Sequence, residues 1–64
     1  MKIFYREIIK QEKDVKTFAK EVGVTTQTIY SWKAGTSKPK TIHIHKIAKI
    51  LKLSIDSLID DFYK

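Results

Sequence analysis

The chain has 64 residues and no cysteine, so it has room for one small domain and can form neither disulfide bridges nor thiolate metal sites. Thirteen Lys and Arg residues outnumber seven Asp and Glu residues, which gives a net charge of +6. No apolar run is long enough to span a membrane, and the N-terminal residues are charged too early for a signal peptide. We therefore expect a cytoplasmic protein without a membrane partner.

Apolar residues recur at helical spacing from the N-terminus onwards. Residues 2–11 predict a first helix with one apolar face. Asp14 is a suitable N-cap for a second helix, and Gly23 after that helix predicts a turn with positive φ. The apolar faces of these two helices contain Ile3, Phe4, Tyr5, Ile8, Ile9, Val15, Phe18, Ala19 and Val22.

Three further helices are expected in the rest of the chain. Thr25 or Thr26 caps a third helix that stops at Gly35, the loop around Pro39 precedes a fourth, and Ser54 caps a short fifth. Their inward residues are expected to be Ile29 and Trp32, then Ile44, Ile47, Ala48 and Leu51, and finally Ile55, Leu58 and Ile59. No strand pattern is present, so the sequence predicts a single all-α domain over residues 1–64, a bundle of five short helices.

The excess of positive charge is uneven: residues 1–40 contain nine basic and four acidic residues, and residues 41–64 contain four and three. Residues 23–40 contain three basic residues, Lys33, Lys38 and Lys40, and no acidic one. A basic surface on a small domain suits phosphate binding, because each neutralised phosphate releases counterions. The alternative is that these charges only keep the domain soluble.

The segment from Val15 to Ala34 meets the steric requirements of two short helices that cross steeply. Such a pair needs a small residue near the crossing, a residue that accepts a sharp turn, and apolar residues between the helices. Ala19 and Gly23 meet the first two requirements. The apolar positions are Phe18, Val22, Val24, Ile29 and Trp32. The joint match indicates a helix-turn-helix unit over residues 15–34.

The likeness to a known family extends beyond this unit. The stretch FAKEVGVTTQTIYSWKAG is followed by SKP and by IHKIAKILKLSIDSLI. Over Asp14 to Ile59 the sequence resembles the Cro/CI-type (XRE-like) helix-turn-helix repressors of phages and bacteria. This resemblance implies a lambda-repressor-like DNA-binding domain in a bacterial or phage-infected cell, with a third helix that reads operator DNA.

By this resemblance, the exposed side of the third helix contacts DNA bases. The residues at these positions are Thr25, Thr26, Gln27, Tyr30 and Ser31. Gln27 is the best candidate, because its amide can hydrogen-bond N6 and N7 of adenine together. The alternatives are that the two threonines only cap the helix and that Tyr30 is a solvated aromatic residue.

The loop after the third helix and the start of the fourth are expected to bind phosphates, because backbone N–H groups at a helix start favour an anion. The side chains expected there are Lys33, Thr36, Ser37, Lys38, Lys40 and His43. The alternative is a solvated loop with incidental lysines.

The chain departs from the family pattern next to these sites. Lys33 and Ala34 stand where the family usually has glutamate and asparagine. The glutamate commonly pairs with an arginine of the first helix, where this chain offers Ile8 and Ile9, so we expect apolar packing in place of the ion pair. Lys52 stands where the family has a glycine between the fourth and fifth helices.

Two functions fit these observations. The first is a sequence-specific regulator of transcription, of the repressor or Cro type, that binds double-stranded DNA. The second is a protein-interaction module of the same fold, such as an antitoxin-like or anti-repressor partner. The second fits Val15, which stands where the family often has a phosphate-contacting glutamine.

An enzyme is not expected, because no serine has a base beside it and the chain is too short to enclose a substrate pocket. No cofactor is expected either. His43 and His45 are two residues apart, which places them on different sides of a helix and excludes a shared metal ion.

We expect two copies to bind a near-palindromic operator as a weak homodimer, because one module buries little surface on DNA. Once Leu58 and Ile59 complete the core, Phe62 and Tyr63 are left as large apolar groups for a dimer interface. The alternative is that both rings pack onto their own domain.

Overall fold

The structure is a computed structural model, and it describes residues 2–63. Within this range it contains five helices and no strand. The helices are α1 (Ile3–Lys10), α2 (Val15–Val22), α3 (Thr26–Ala34), α4 (Thr41–Leu51) and α5 (Ile55–Tyr63). The predicted all-α bundle of five short helices is confirmed.

Three helices begin at residues that the sequence predicts as N-caps. In each, a side-chain oxygen accepts a hydrogen bond from the backbone N–H three residues later, which satisfies a donor that the helix itself leaves free. The pairs are Asp14 with Thr17 at 3.0 Å, Thr25 with Thr28 at 3.2 Å and Ser54 with Ser57 at 3.1 Å. Of the two threonines proposed for α3, Thr25 is the cap.

Four helices are followed by a left-handed residue, which comes directly after α2, α3 and α4 and one residue later after α1. The backbone N–H of the following residue then donates to the carbonyl oxygen five positions earlier, at 2.9 to 3.0 Å. Gly23 and Gly35 take this position after α2 and α3, with φ of 93° and 82°. Glu12 and Lys52 take it after α1 and α4, with φ of 54° and 59°. A residue with a side chain holds this conformation only at an energetic cost.

The helices pack around one hydrophobic core. α2 packs against α3 and α4, α1 packs against α4 and α5, and α4 also packs against α5. The core residues contributed by α1 to α4 are Phe4, Ile8, Phe18, Ala19, Val22, Ile29, Trp32, Ile44, Ile47, Ala48 and Leu51. The apolar residues predicted between α2 and α3 are therefore buried, except that Val24 is only partly so.

Of the three residues of α5 predicted to face the core, only Leu58 is buried. Ile55 and Ile59 were expected inside the core, but they are 36% and 40% exposed. Phe62 was expected outside, but it is 3% exposed and packs on Phe4, with ring centres 5.1 Å apart. Phe62 lies one helical turn after Leu58, and these two residues form the buried face. The prediction that Phe62 is available for a dimer interface is therefore wrong.

Candidate nucleic-acid interface

α3 has an inner apolar side and an outer polar side. Ile29 and Trp32 are buried, whereas Gln27 and Tyr30, on the opposite side of the helix, are exposed. The predicted base-reading residues comprise three exposed side chains, Thr25, Gln27 and Tyr30, and two half-buried ones, Thr26 and Ser31. This outer side therefore offers an amide and hydroxyl groups, which are suitable for hydrogen bonds with base edges.

The first two exposed residues of this group differ in how their polar atoms are engaged. The Thr25 hydroxyl accepts from the Thr28 backbone N–H and lies 3.0 Å from the Thr28 hydroxyl, so it has a capping role within the domain. The Gln27 amide makes no hydrogen bond with the described residues 2–63. The donor and acceptor of Gln27 are therefore available to a ligand together.

Lys33, in the last turn of α3, lies against a tyrosine of α1. Its Nζ is 4.3 Å from the centre of the Tyr5 ring, which is within the range of a cation–π interaction. The Tyr5 ring also lies 6.4 Å from the ring of Tyr30, one turn earlier in α3. The sequence predicts only apolar packing at this junction, by Ile8 and Ile9, and Ile9 is 56% exposed. The contact between Lys33 and Tyr5 was missed, because the two residues are distant in the sequence.

The loop between α3 and α4 is held by the last residue of α5. The Tyr63 hydroxyl donates to the carbonyl oxygen of Pro39 at 2.6 Å, and the Nζ of Lys38 lies 5.0 Å from the centre of the Tyr63 ring. Pro39 is buried, while Lys38 and Lys40 on either side of it are exposed. Tyr63, predicted at a dimer interface, is 49% exposed, with its hydroxyl bonded within the domain.

Two other residues predicted to bind phosphate have contacts within the domain. The Thr36 hydroxyl donates to the carbonyl oxygen of Ser31 at 3.2 Å, next to the turn that ends α3. The His43 ring lies 5.5 Å from the Trp32 ring, and its Nδ1 is buried without a hydrogen-bond partner. Only Nε2 of His43 is thus left to meet a phosphate. Ser37 is exposed in the loop.

Outside this interface, the described residues include a groove between α2 and α4. Within residues 2–63, no group of three or more His, Cys, Asp or Glu residues could hold a metal ion. A groove of about 380 Å³ is lined by Glu21, Lys46, Lys49 and Ile50 of α2 and α4, and none of these is a serine or cysteine nucleophile. Over the same residues, no helix has both the length and the hydropathy to span a membrane.

The family of the chain follows from comparison with known proteins. A family model described as helix-turn-helix matches residues 5–58, which is most of the chain. The chain belongs to the Cro/CI-type (XRE-like) helix-turn-helix family. Members of this family are DNA-binding regulators, and this chain is accordingly a DNA-binding helix-turn-helix protein. Comparison with curated proteins and with solved structures found no match.

Proposed function

We propose that the protein is a sequence-specific transcription regulator of the repressor or Cro type. In this proposal, α3 enters the major groove of double-stranded DNA and two copies bind a near-palindromic operator. The observation that carries it is the division of α3: Ile29 and Trp32 hold the helix to the core, while Gln27 and Tyr30 are exposed on the other side. A helix held in this way can enter a groove without losing its packing.

The charges around α3 support the same proposal. Lys33, Lys38 and Lys40 are all exposed, and no acidic residue occurs in residues 23–40 to compete with a phosphate for them. Phosphate contacts of this kind fix the register of a protein on DNA, while side chains such as Gln27 read the bases.

The proposal is tested by selecting duplexes from random DNA with the full chain. We expect a shared motif of two inverted half-sites about one helical turn, or roughly 10 base pairs, apart. The affinity of the selected duplexes should fall steeply as salt rises, because binding releases counterions. A chain that selects no duplex at low salt would instead fit a protein-interaction module of the same fold.

The phosphate-binding part of the proposal predicts a specific effect of Lys40→Ala. The substitution should weaken binding to the selected duplex and to unrelated duplexes alike, and it should lower the slope of log affinity against log salt by about one. Lys49→Ala is the matched control, because Lys49 is another exposed lysine but lies in the groove between α2 and α4. Equal slopes for the two variants would place the phosphate contact elsewhere.

A further inference from the structure

We propose that Tyr5 and Tyr63 are positioning residues for DNA binding, each of which orients one lysine towards a backbone phosphate. Tyr5 of α1 orients Lys33, and Tyr63 of α5 orients Lys38. This inference rests on the proposed function and extends it to the two terminal helices.

The first contact joins α1 to the end of α3. The Lys33 Nζ lies 4.3 Å from the centre of the half-buried Tyr5 ring. Because Tyr5 is half-buried and its ring is also 6.1 Å from that of the core residue Phe4, the ring is part of the packed structure. Lys33 is exposed, so its ammonium group remains accessible to a ligand while it lies on this ring.

The second contact joins α5 to the loop before α4. The Lys38 Nζ lies 5.0 Å from the centre of the Tyr63 ring, and the Tyr63 hydroxyl donates to the carbonyl oxygen of Pro39 at 2.6 Å. Tyr63 therefore restrains the backbone next to Lys38 as well as its side chain. The two tyrosines therefore restrain one lysine in the last turn of α3 and one in the loop that follows it.

An aromatic partner suits this purpose better than a carboxylate. A carboxylate would neutralise the lysine and compete with the phosphate for it, whereas a ring attracts the ammonium group through its quadrupole and leaves its full charge. A flexible lysine loses rotamer freedom when it is fixed against a phosphate. A lysine that already lies on a ring loses less rotamer freedom when it binds a phosphate, so the contact favours binding without adding a charge.

The test compares ring-keeping and ring-removing variants in binding to the selected duplex and to an unrelated one. Tyr5→Leu should weaken both complexes by about two- to fivefold, the size expected for an exposed cation–π contact, and Tyr5→Phe should restore binding because the ring remains. Tyr63→Phe keeps the ring but loses the bond to Pro39, so its affinity should lie between those of the parent and of Tyr63→Leu.

A double-mutant cycle separates positioning from a purely structural role. If Tyr5 acts through Lys33, Tyr5→Leu should have no further effect on affinity in a Lys33→Ala background. The same should hold for Tyr63→Leu in a Lys38→Ala background. Thermal unfolding followed by circular dichroism shows whether each variant is folded at the assay temperature, and Tyr5→Met replaces Tyr5→Leu if the latter is not.

Three outcomes would overturn the inference. Equal losses with and without the lysine would mean that the tyrosines do not act through the lysines. Tighter binding by Tyr5→Leu would mean that the ring holds Lys33 away from DNA. Unchanged affinity in both leucine variants, in a chain whose parent binds DNA, would remove the positioning role and leave the proposed function intact. A parent chain that binds no duplex would instead contradict the proposed function itself.

Discussion

Gln27 is the residue of α3 from which we expect the clearest effect on base recognition. Its amide can make two hydrogen bonds with one adenine, and it has no partner among residues 2–63. Gln27→Ala should cost about 1–3 kcal/mol of binding free energy on the selected duplex and much less on random DNA. Titration of both duplexes measures the difference.

The other glutamine of the chain is the natural control for this experiment. Gln11 donates from Nε2 to the carbonyl oxygen of Leu51 at 2.9 Å, so it joins the end of α1 to the end of α4. Gln11→Ala should affect stability but not the ratio of the two affinities. An equal loss on both duplexes for Gln27→Ala would make Gln27 a positioning residue.

Lys52 is a residue at which the sequence is not optimal for the backbone. Its φ of 59° is left-handed, and it stands where the family pattern has a glycine. This conformation costs a residue with a side chain about 1–2 kcal/mol, and glycine avoids that cost. Glycine also makes the unfolded chain more flexible, which offsets part of the stabilisation. Lys52→Gly should therefore raise the free energy of unfolding by about 0.5–1 kcal/mol. Urea denaturation measures this change.

A glycine substitution one turn earlier should have the opposite sign. Lys49 is exposed and lies within α4, where glycine is less favourable than a good helix former. Lys49→Gly should lower the free energy of unfolding by up to about 1 kcal/mol. Destabilisation of both variants would show that the turn after α4 is not strained.

At the scale of the helices, the sequence predicts those features that depend on contacts between residues close together in the chain. The caps at Asp14 and Ser54 act on backbone groups three residues away, so their effect can be inferred from the local sequence. The contact of Tyr5 with Lys33 depends on how α1 crosses α3, which no local pattern specifies. The lysine in place of the family's glutamate gave no signal for it, because an exposed lysine is satisfied by water.

The start of α1 is another feature that only the assembled helices explain. Lys2 precedes the helix without providing a side-chain cap, but the Asp61 carboxylate of α5 accepts a hydrogen bond from the Ile3 backbone N–H at 2.7 Å. The Lys2 ammonium group donates to the carbonyl oxygen of Asp61 at 2.6 Å. Asp61 lies in the last turn of α5, where a negative charge interacts unfavourably with the helix dipole. The benefit of Asp61 therefore lies in capping α1.

Asp61→Ala should therefore destabilise the domain through α1. Loss of the cap should lower the free energy of unfolding by about 1 kcal/mol, measured by urea denaturation. Asp61→Asn is the matched control, because it keeps an oxygen acceptor for the Ile3 N–H and should lose less. Unchanged stability of the alanine variant would mean that water satisfies the start of α1 equally well.

At the scale of the whole molecule, α5 shows why the core could not be predicted completely. The pair Ile55 and Ile59 and the pair Leu58 and Phe62 have the same four-residue spacing, so both fit an apolar face. Their exposure is decided by the rotation of α5 against α1 and α4. The observed rotation buries the larger pair, in which Phe62 packs beside Phe4 and Trp32.

This rotation changes which residues can join two copies on DNA. The proposed function pairs two copies on inverted half-sites, because a single module buries only roughly 600–1,000 Å² on DNA. Phe62 cannot contribute, and its removal would leave a cavity in the core. Ile55 and Ile59 remain exposed one turn apart on α5, and we propose them as the apolar contact with a second copy.

Ile59→Gln tests this pairing without disturbing the fold. Glutamine is a good helix former, and Ile59 is already 40% exposed, so the thermal midpoint should change little. Binding to a duplex with two half-sites should lose its cooperativity, while affinity for a single half-site should stay the same. Ile9→Gln, at an exposed isoleucine of α1, should keep the cooperative isotherm. Undiminished cooperativity of Ile59→Gln would mean that the two copies meet through another surface or only through the DNA.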